Sequence, residues 1–109
     1  DVRMGVLELA PGGYYPAHAH AAPEIYFVLG GEAQWTVAEE TFASKPGMAI
    51  YHPPHTLHRM VNVGTEVLRA VWFWWAPEGR AGVLDGPIDL LEAMPAASRS
   101  GMDEPPATE

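Results

Sequence analysis

The sequence predicts an all-β domain, a small antiparallel sandwich or barrel, and three observations carry that prediction. About seven short runs of alternating, β-branched or aromatic residues recur between Arg3 and Trp75. Eleven glycines and eleven prolines are spread along the chain, where they punctuate turns instead of interrupting long helices. No apolar run approaches the roughly 18 residues that would span a bilayer. The richest window, Val67 to Trp75, is nine residues long and is broken by Arg69.

The elements follow in order. Arg3 to Leu9 alternates loosely and reads as a strand closed by Pro11-Gly12-Gly13. Tyr14 to His20 is extended and leads through Ala21-Ala22-Pro23 into Glu24 to Leu29. There Ile25, Phe27 and Leu29 alternate with Glu24, Tyr26 and Val28, two sets on opposite faces of a strand. Gly30-Gly31 turns the chain into Ala33 to Val37, and Glu39-Glu40 reads as a hairpin tip before Thr41 to Ala43. Lys45-Pro46-Gly47 precedes Met48 to His52. Leu57 to Val63 and Val67 to Trp75 are the last two strands, joined at Gly64-Thr65. Ile88 to Met94 fits two helical turns or an extended arm, and from Pro95 onward the Ala, Ser, Pro and acidic composition predicts a mobile tail. With 109 residues there is room for one domain, which we bound at 1–83, with an arm and tail over 84–109.

Composition narrows the function. Fourteen acidic residues against six basic ones give a formal charge of −8, and the only lysine is Lys45. Nucleic acid is therefore excluded as a partner, an anionic membrane is disfavoured, and cations are drawn in. The absence of cysteine removes disulfides, thiolate metal sites and a cysteine nucleophile. No signal-like apolar segment occurs near the start of the given sequence; it begins at Asp1 and not Met, which leaves trimming, processing or an upstream segment open, and a cytoplasmic setting is the expectation.

The chemistry is concentrated in five histidines, His18, His20, His52, His55 and His58, confined to two short stretches. His18 and His20 stand two apart, so on a strand both imidazoles leave the same face. Glu24 follows across a proline bend. If His58 reaches the same place, three imidazoles and one carboxylate converge, a set suited to one borderline divalent metal (Fe, Mn, Zn, Ni or Co) with coordination positions left open. A lone His-x-His is as often an ordinary polar loop pair. Here the spacing carries more: Gly12, five residues, His18-x-His20, three residues, Glu24, six residues, Gly31. A second pattern runs Gly47, five residues, Pro53, then His58 and, three residues on, Asn62.

These two patterns resemble the two motifs of the cupin superfamily over roughly Val6 to Trp75, with one departure, His55 in place of the usual glycine. The resemblance implies a small antiparallel double-stranded β-helix, a jelly-roll barrel, with a metal near its axis held by His18, His20, Glu24 and His58. Gly12, Gly31 and Gly47 fall where tight turns need positive φ. A narrower resemblance, to the cupin-type dimethylsulfoniopropionate (DMSP) lyases, is carried by Tyr14-Tyr15-Pro16-Ala17-His18, Glu24-Ile25-Tyr26-Phe27-Val28-Leu29, Gly31-Glu32-Ala33-Gln34-Trp35, His52-Pro53 and His58-Arg59-Met60. It implies that the metal holds a substrate carboxylate while Tyr26, two residues after the ligand glutamate, removes the α-proton, releasing acrylate and dimethyl sulfide. It also implies a second tyrosine where this chain has Trp72, whose indole cannot act as a base.

The residues support that assignment in their own terms. Glu24 and Tyr26 share a strand face, and a neighbouring divalent cation favours the phenolate of a group that ordinarily titrates near ~10. Tyr15, Tyr26, Trp72 and Trp74 offer aromatic faces to a cationic substrate, worth roughly 0.5–2 kcal/mol per contact. Gln34, a candidate substrate contact, and Arg59 are plausible polar contacts near the barrel, with a solvated position the default for both. His52 is expected behind a ligand, orienting it. His55 is expected to point outward, and Tyr51 and Met60 to line the core or pocket. Phe73 and Trp75 face away from the barrel interior and need cover, which predicts a homodimer. Three functions fit: a metal-dependent carbon–sulfur lyase on a small, possibly cationic carboxylate; an Fe(II) dioxygenase on the same three-His, one-Glu set; and a non-catalytic or isomerase-type small-molecule-binding protein. Tyr26 and its lyase-like surroundings favour the first.

Overall fold

A computed structural model describes residues 2–91. Nine strands occur among them: β1 (Val2–Leu9), β2 (Tyr14–His20), β3 (Glu24–Gly30), β4 (Ala33–Val37), β5 (Glu40–Ser44), β6 (Ala49–His52), β7 (His58–Val61), β8 (Leu68–Trp75) and β9 (Ile88–Leu90), with a 3₁₀ turn over Ala81–Asp85 before the last. They form two antiparallel sheets, one ordered β1-β8-β3-β6 and the other β5-β4-β7-β2-β9. About seven strands are expected between Arg3 and Trp75; eight are found, each at a run read above and with ends shifted by at most two residues or so. Of the two readings of the segment after Ile88, the extended one is observed: Ala19 pairs with Asp89, and Leu91 N–H donates to Ala17 O at 2.7 Å. Met94 and the Pro95 tail lie outside the described residues.

The sheets face each other and share one interior. Its apolar half is built by Leu7, Leu9, Val28, Trp35, Met60, Leu68 and Ala70, all at most 3% exposed. Its polar half is set by register. Glu24 pairs with His52 on one side and Trp74 on the other, forming one row across the first sheet, and Tyr26 pairs with Ile50 and Trp72 in the next. Across the gap, His18 pairs with His58, which pairs with Val37.

One irregularity aims the key side chains. Tyr15 pairs with Met60 and His18 with His58, so Pro16 and Ala17 oppose the single residue Arg59. Such a bulge reverses the alternation beyond it, and proline, which has no N–H to lose from the ladder, is suited to it. Tyr15 and His18, three apart, thereby both point inward and stack with ring centroids 4.1 Å apart.

The turns behave as the motif glycines require. Gly12, Gly31 and Gly47 have φ of 80°, 78° and 94°. At Gly31 a Cβ would also meet Val67 O at 2.5 Å, so no other residue fits without moving the backbone. His55 takes the glycine-like φ of 58° and is exposed, as expected; the left-handed region costs an L-residue about 1–2 kcal/mol. Asn62 locks the far end: its Nδ2 donates to Leu9 O and Glu66 O at 2.8 Å each, and its Oδ1 accepts from Gly64 N–H at 2.9 Å. Met60 is core, but Tyr51 is not. β6 alternates so that Ile50 and His52 enter the barrel and Tyr51 is turned out, 52% exposed and stacked near Trp75. Tyr51 shares the outer face of that sheet with Val2, Met4, Val6, Phe27 and Leu29.

Candidate metal centre

The β2–β3 connection carries the chain from one sheet to the other, so His18 and His20 stand on one wall and Glu24 on the facing one. His58 comes from β7 beside His18. One ligand atom each from His20, Glu24 and His58 lies within 4.8 Å of the others, and all three residues are at most 3% exposed. His18 stands just outside that tight group, with its ring centroid 4.0 Å from His58 and 6.2 Å from His20.

Backbone carbonyls decide which nitrogen each ring presents. The Nδ1 atoms of His18, His20 and His58 lie 2.7, 2.9 and 3.0 Å from Pro16 O, Ala22 O and Thr56 O. A carbonyl only accepts, so each Nδ1 carries a hydrogen and each neutral ring is left with a bare Nε2. His20 Nε2 and His58 Nε2 stand 2.9 and 3.3 Å from Glu24 Oε1. Lone pairs so close to a carboxylate repel unless a positive charge lies between them. A proton serves for one nitrogen; a divalent cation serves for the set. Glu24 Oε2 and His58 Nε2 are buried without a hydrogen-bond partner, which leaves coordinating capacity unused.

The charge states agree. Burial acts to raise the pKa of Glu24, but the facing nitrogens of His20 and His58 outweigh it and hold the group at about 2, as a positive charge shared between them and the carboxylate does. Burial, reinforced by His58, lowers His18 well below the ordinary histidine value and lowers His52 to about 3. An ionised carboxylate near the neutral ring of His18 suits the binding of a divalent metal. The residues therefore fit a borderline divalent cation.

A stability prediction follows for the metal-free chain. Between pH 6.5 and about 3 the unfolded chain binds a proton at His52 that the folded chain refuses, and between 4.5 and about 2 the same holds at Glu24. Stability thus rises with pH through both windows and is lost on acidification, by several kcal/mol at about 1.4 kcal/mol per unit. Denaturant midpoints from pH 7.5 to 3.5 should fall steadily below about 6.5; a flat profile contradicts the neutral, buried His52.

The other expected site residues divide. Tyr26 is buried with its ring 5.1 Å from His52 and 6.4 Å from His58. Trp74 stacks on His20 at 4.1 Å, and Trp72 lies 5.8 Å from Trp74. His52, fully buried, accepts from Trp35 Nε1–H at 3.0 Å, so its Nε2 is engaged and its ring rests 4.3 Å from His58. Gln34 is not brought to the cluster: on β4, Ala33 and Trp35 face in, and Gln34 is exposed on the outside. Arg59 Nη1 donates to Tyr14 Oη at 2.9 Å instead. Sequence reasoning gave Trp35 no role, although its alternation with Ala33 placed it inside; the carbonyls of Pro16, Ala22 and Thr56 have no side-chain signature to read.

The four candidate ligands are buried, 1–3% exposed. A surface depression of about 540 Å³ lies over Val37, Tyr51, Pro53 and Thr56, and another of about 340 Å³ over Gly31, Pro46 and Glu66. None of the four candidate ligands lines either. The first adjoins the site in sequence, since Val37 pairs with His58 and Tyr51 precedes His52.

Comparison with known proteins places this geometry. The chain is 41% identical over 54 residues to the dimethylsulfoniopropionate lyase DddQ of Ruegeria pomeroyi, covering 46% of this chain and 27% of that protein. It is 36% identical over 61 residues to an uncharacterized protein of Methanocaldococcus jannaschii, 55% of this chain and 49% of the other. The crystal structure of the Ruegeria lyase superposes with a TM-score of 0.69 at 26% identity, covering 83% of this chain and 43% of that one. The chain thus spans half or less of the length of these relatives. Residues 5–74 match the cupin domain family, and the protein belongs to it.

Proposed function

We propose that this cupin is a metal-dependent lyase that eliminates dimethyl sulfide from dimethylsulfoniopropionate or a related small carboxylate. The observation that carries the reading is Tyr26, a phenol enclosed in the barrel on the same strand face as Glu24 and beside His52 and His58. The local identity with the Ruegeria lyase supports it. His18, His20, Glu24 and His58 would hold the cation, which would supply a Lewis acid for the substrate carboxylate. Tyr26, as phenolate, takes the α-proton. The Cα–H electron pair becomes the Cα=Cβ bond, and the Cβ–S pair departs with the sulfide, leaving acrylate. The proton then leaves Tyr26 to solvent. The rings of Tyr15 and Trp35 wall the site against water.

Entry requires movement, because the candidate ligands are 1–3% exposed. That burial favours a second reading, a cupin that binds a small molecule or a metal without turnover. Headspace analysis decides between them. With DMSP and a divalent metal, dimethyl sulfide should accumulate in proportion to protein and stop on chelation. Silence across Fe, Mn, Zn, Ni and Co, with ligand-dependent shifts in melting temperature, would establish the binding role instead.

A further inference from the structure

Two buried indole donors remain unused at the site, besides His52 Nδ1. Trp72 and Trp74, 1% and 2% exposed, have indole Nε1–H groups without a hydrogen-bond partner among the described residues. An indole N–H only donates, and burying it unpaired forfeits its hydration with nothing in return. The same chain satisfies Trp35, whose N–H reaches His52 Nε2 at 3.0 Å. The two open donors are also neighbours: both project inward from β8, in the rows of Tyr26 and Glu24.

Their faces are less available than their edges. One face of Trp74 lies against the His20 ring at 4.1 Å, and the two indoles are tilted by 55° with centroids 5.8 Å apart. What such a pair lacks is an acceptor. We propose that Trp72 and Trp74 form a two-donor site for the carboxylate of the ligand that enters the barrel, recognising it through N–H groups and not through the aromatic face. The ligand class is then a small carboxylate, and the position where a second tyrosine was expected serves binding instead of proton transfer. The inference shares with the proposed function only the premise that a small carboxylate enters; it needs no elimination.

The test is nitrogen-15 NMR of the zinc-loaded protein labelled at its four tryptophans. Acrylate titration should shift two indole N–H signals saturably, and the Trp35 signal should stay in place. Propionamide, which lacks the charge, should shift neither. Trp72→Phe and Trp74→Phe should each remove one responding signal and weaken acrylate roughly 10–100-fold, the range for a hydrogen bond to a charged group. If either variant fails to fold, contacts from the indole hydrogens to the His20 and Tyr26 rings assign the wild-type signals. The proposal is overturned if acrylate does not bind. It is equally overturned if acrylate binds with both signals unmoved, or if buried water holds the two donors before and after saturation. Shifted indoles without dimethyl sulfide release would reject the lyase reading alone; release with unmoved indoles would reject this one alone.

Discussion

Tyr26→Phe should lower dimethyl sulfide release by about 10²–10⁴-fold, the range a positioned general base contributes, with metal content unchanged. The substitution keeps a ring that is 1% exposed and packed 5.2 Å from Trp35 and 5.1 Å from His52, and deletes only the hydroxyl. Its cost in stability should therefore stay near ~1 kcal/mol. The diagnostic is the split between rate and binding. A base that acts on the α-proton depresses kcat at nearly constant KM, whereas a wall residue raises KM. Release at the wild-type rate in a metal-replete Tyr26→Phe protein would transfer the base role elsewhere. The neighbouring His52 is a poor substitute, because burial keeps it neutral and its Nε2 already accepts from Trp35.

His58→Ala should have the widest consequences. This ring bridges the cluster: its Nε2 is 3.3 Å from Glu24 Oε1, and its centroid lies 4.0, 5.1 and 4.3 Å from those of His18, His20 and His52. Truncation removes one ligand and opens a void in a packed interior, at a cost of about 2–4 kcal/mol by analogy with large-to-small core changes. The variant should fold, carry less than about a tenth of the wild-type metal, and release no detectable dimethyl sulfide. His55→Ala is the matched control, an exposed histidine three residues away, and should leave metal and activity intact.

Much of this was legible in the residues. Alternation located the strands, and of the four spaced residues His20, Glu24 and His58 come together with His18 just outside, because a two-residue step keeps one strand face and Pro23 lets the chain change sheets. Several features were not legible. The bulge at Pro16-Ala17 depends on the partner strand's register, so the inward turn of both Tyr15 and His18 could not be read from one strand alone. Tyr51 was expected to line the core or pocket, yet the step between His52 and Tyr51 sends the two to opposite faces. Gln34 was drawn to the site by its neighbours in sequence, while the sheet places Trp35 there instead. For the tryptophans, sequence indicated aromatic surface, and the structure reveals that the unsatisfied feature is the N–H edge.

The central proposal is that the carbonyl-anchored imidazoles of His18, His20 and His58 offer their Nε2 atoms, together with Glu24, to a single cation. Zinc titration of the metal-free protein, followed through its nitrogen-15-labelled histidines, tests it most directly. The account predicts saturation at one equivalent per chain, with Nε2 of His18, His20 and His58 shifting together while their Nδ1 atoms stay protonated and His52 and His55 remain unligated. Absence of saturable binding, or ligation through Nδ1, would contradict it.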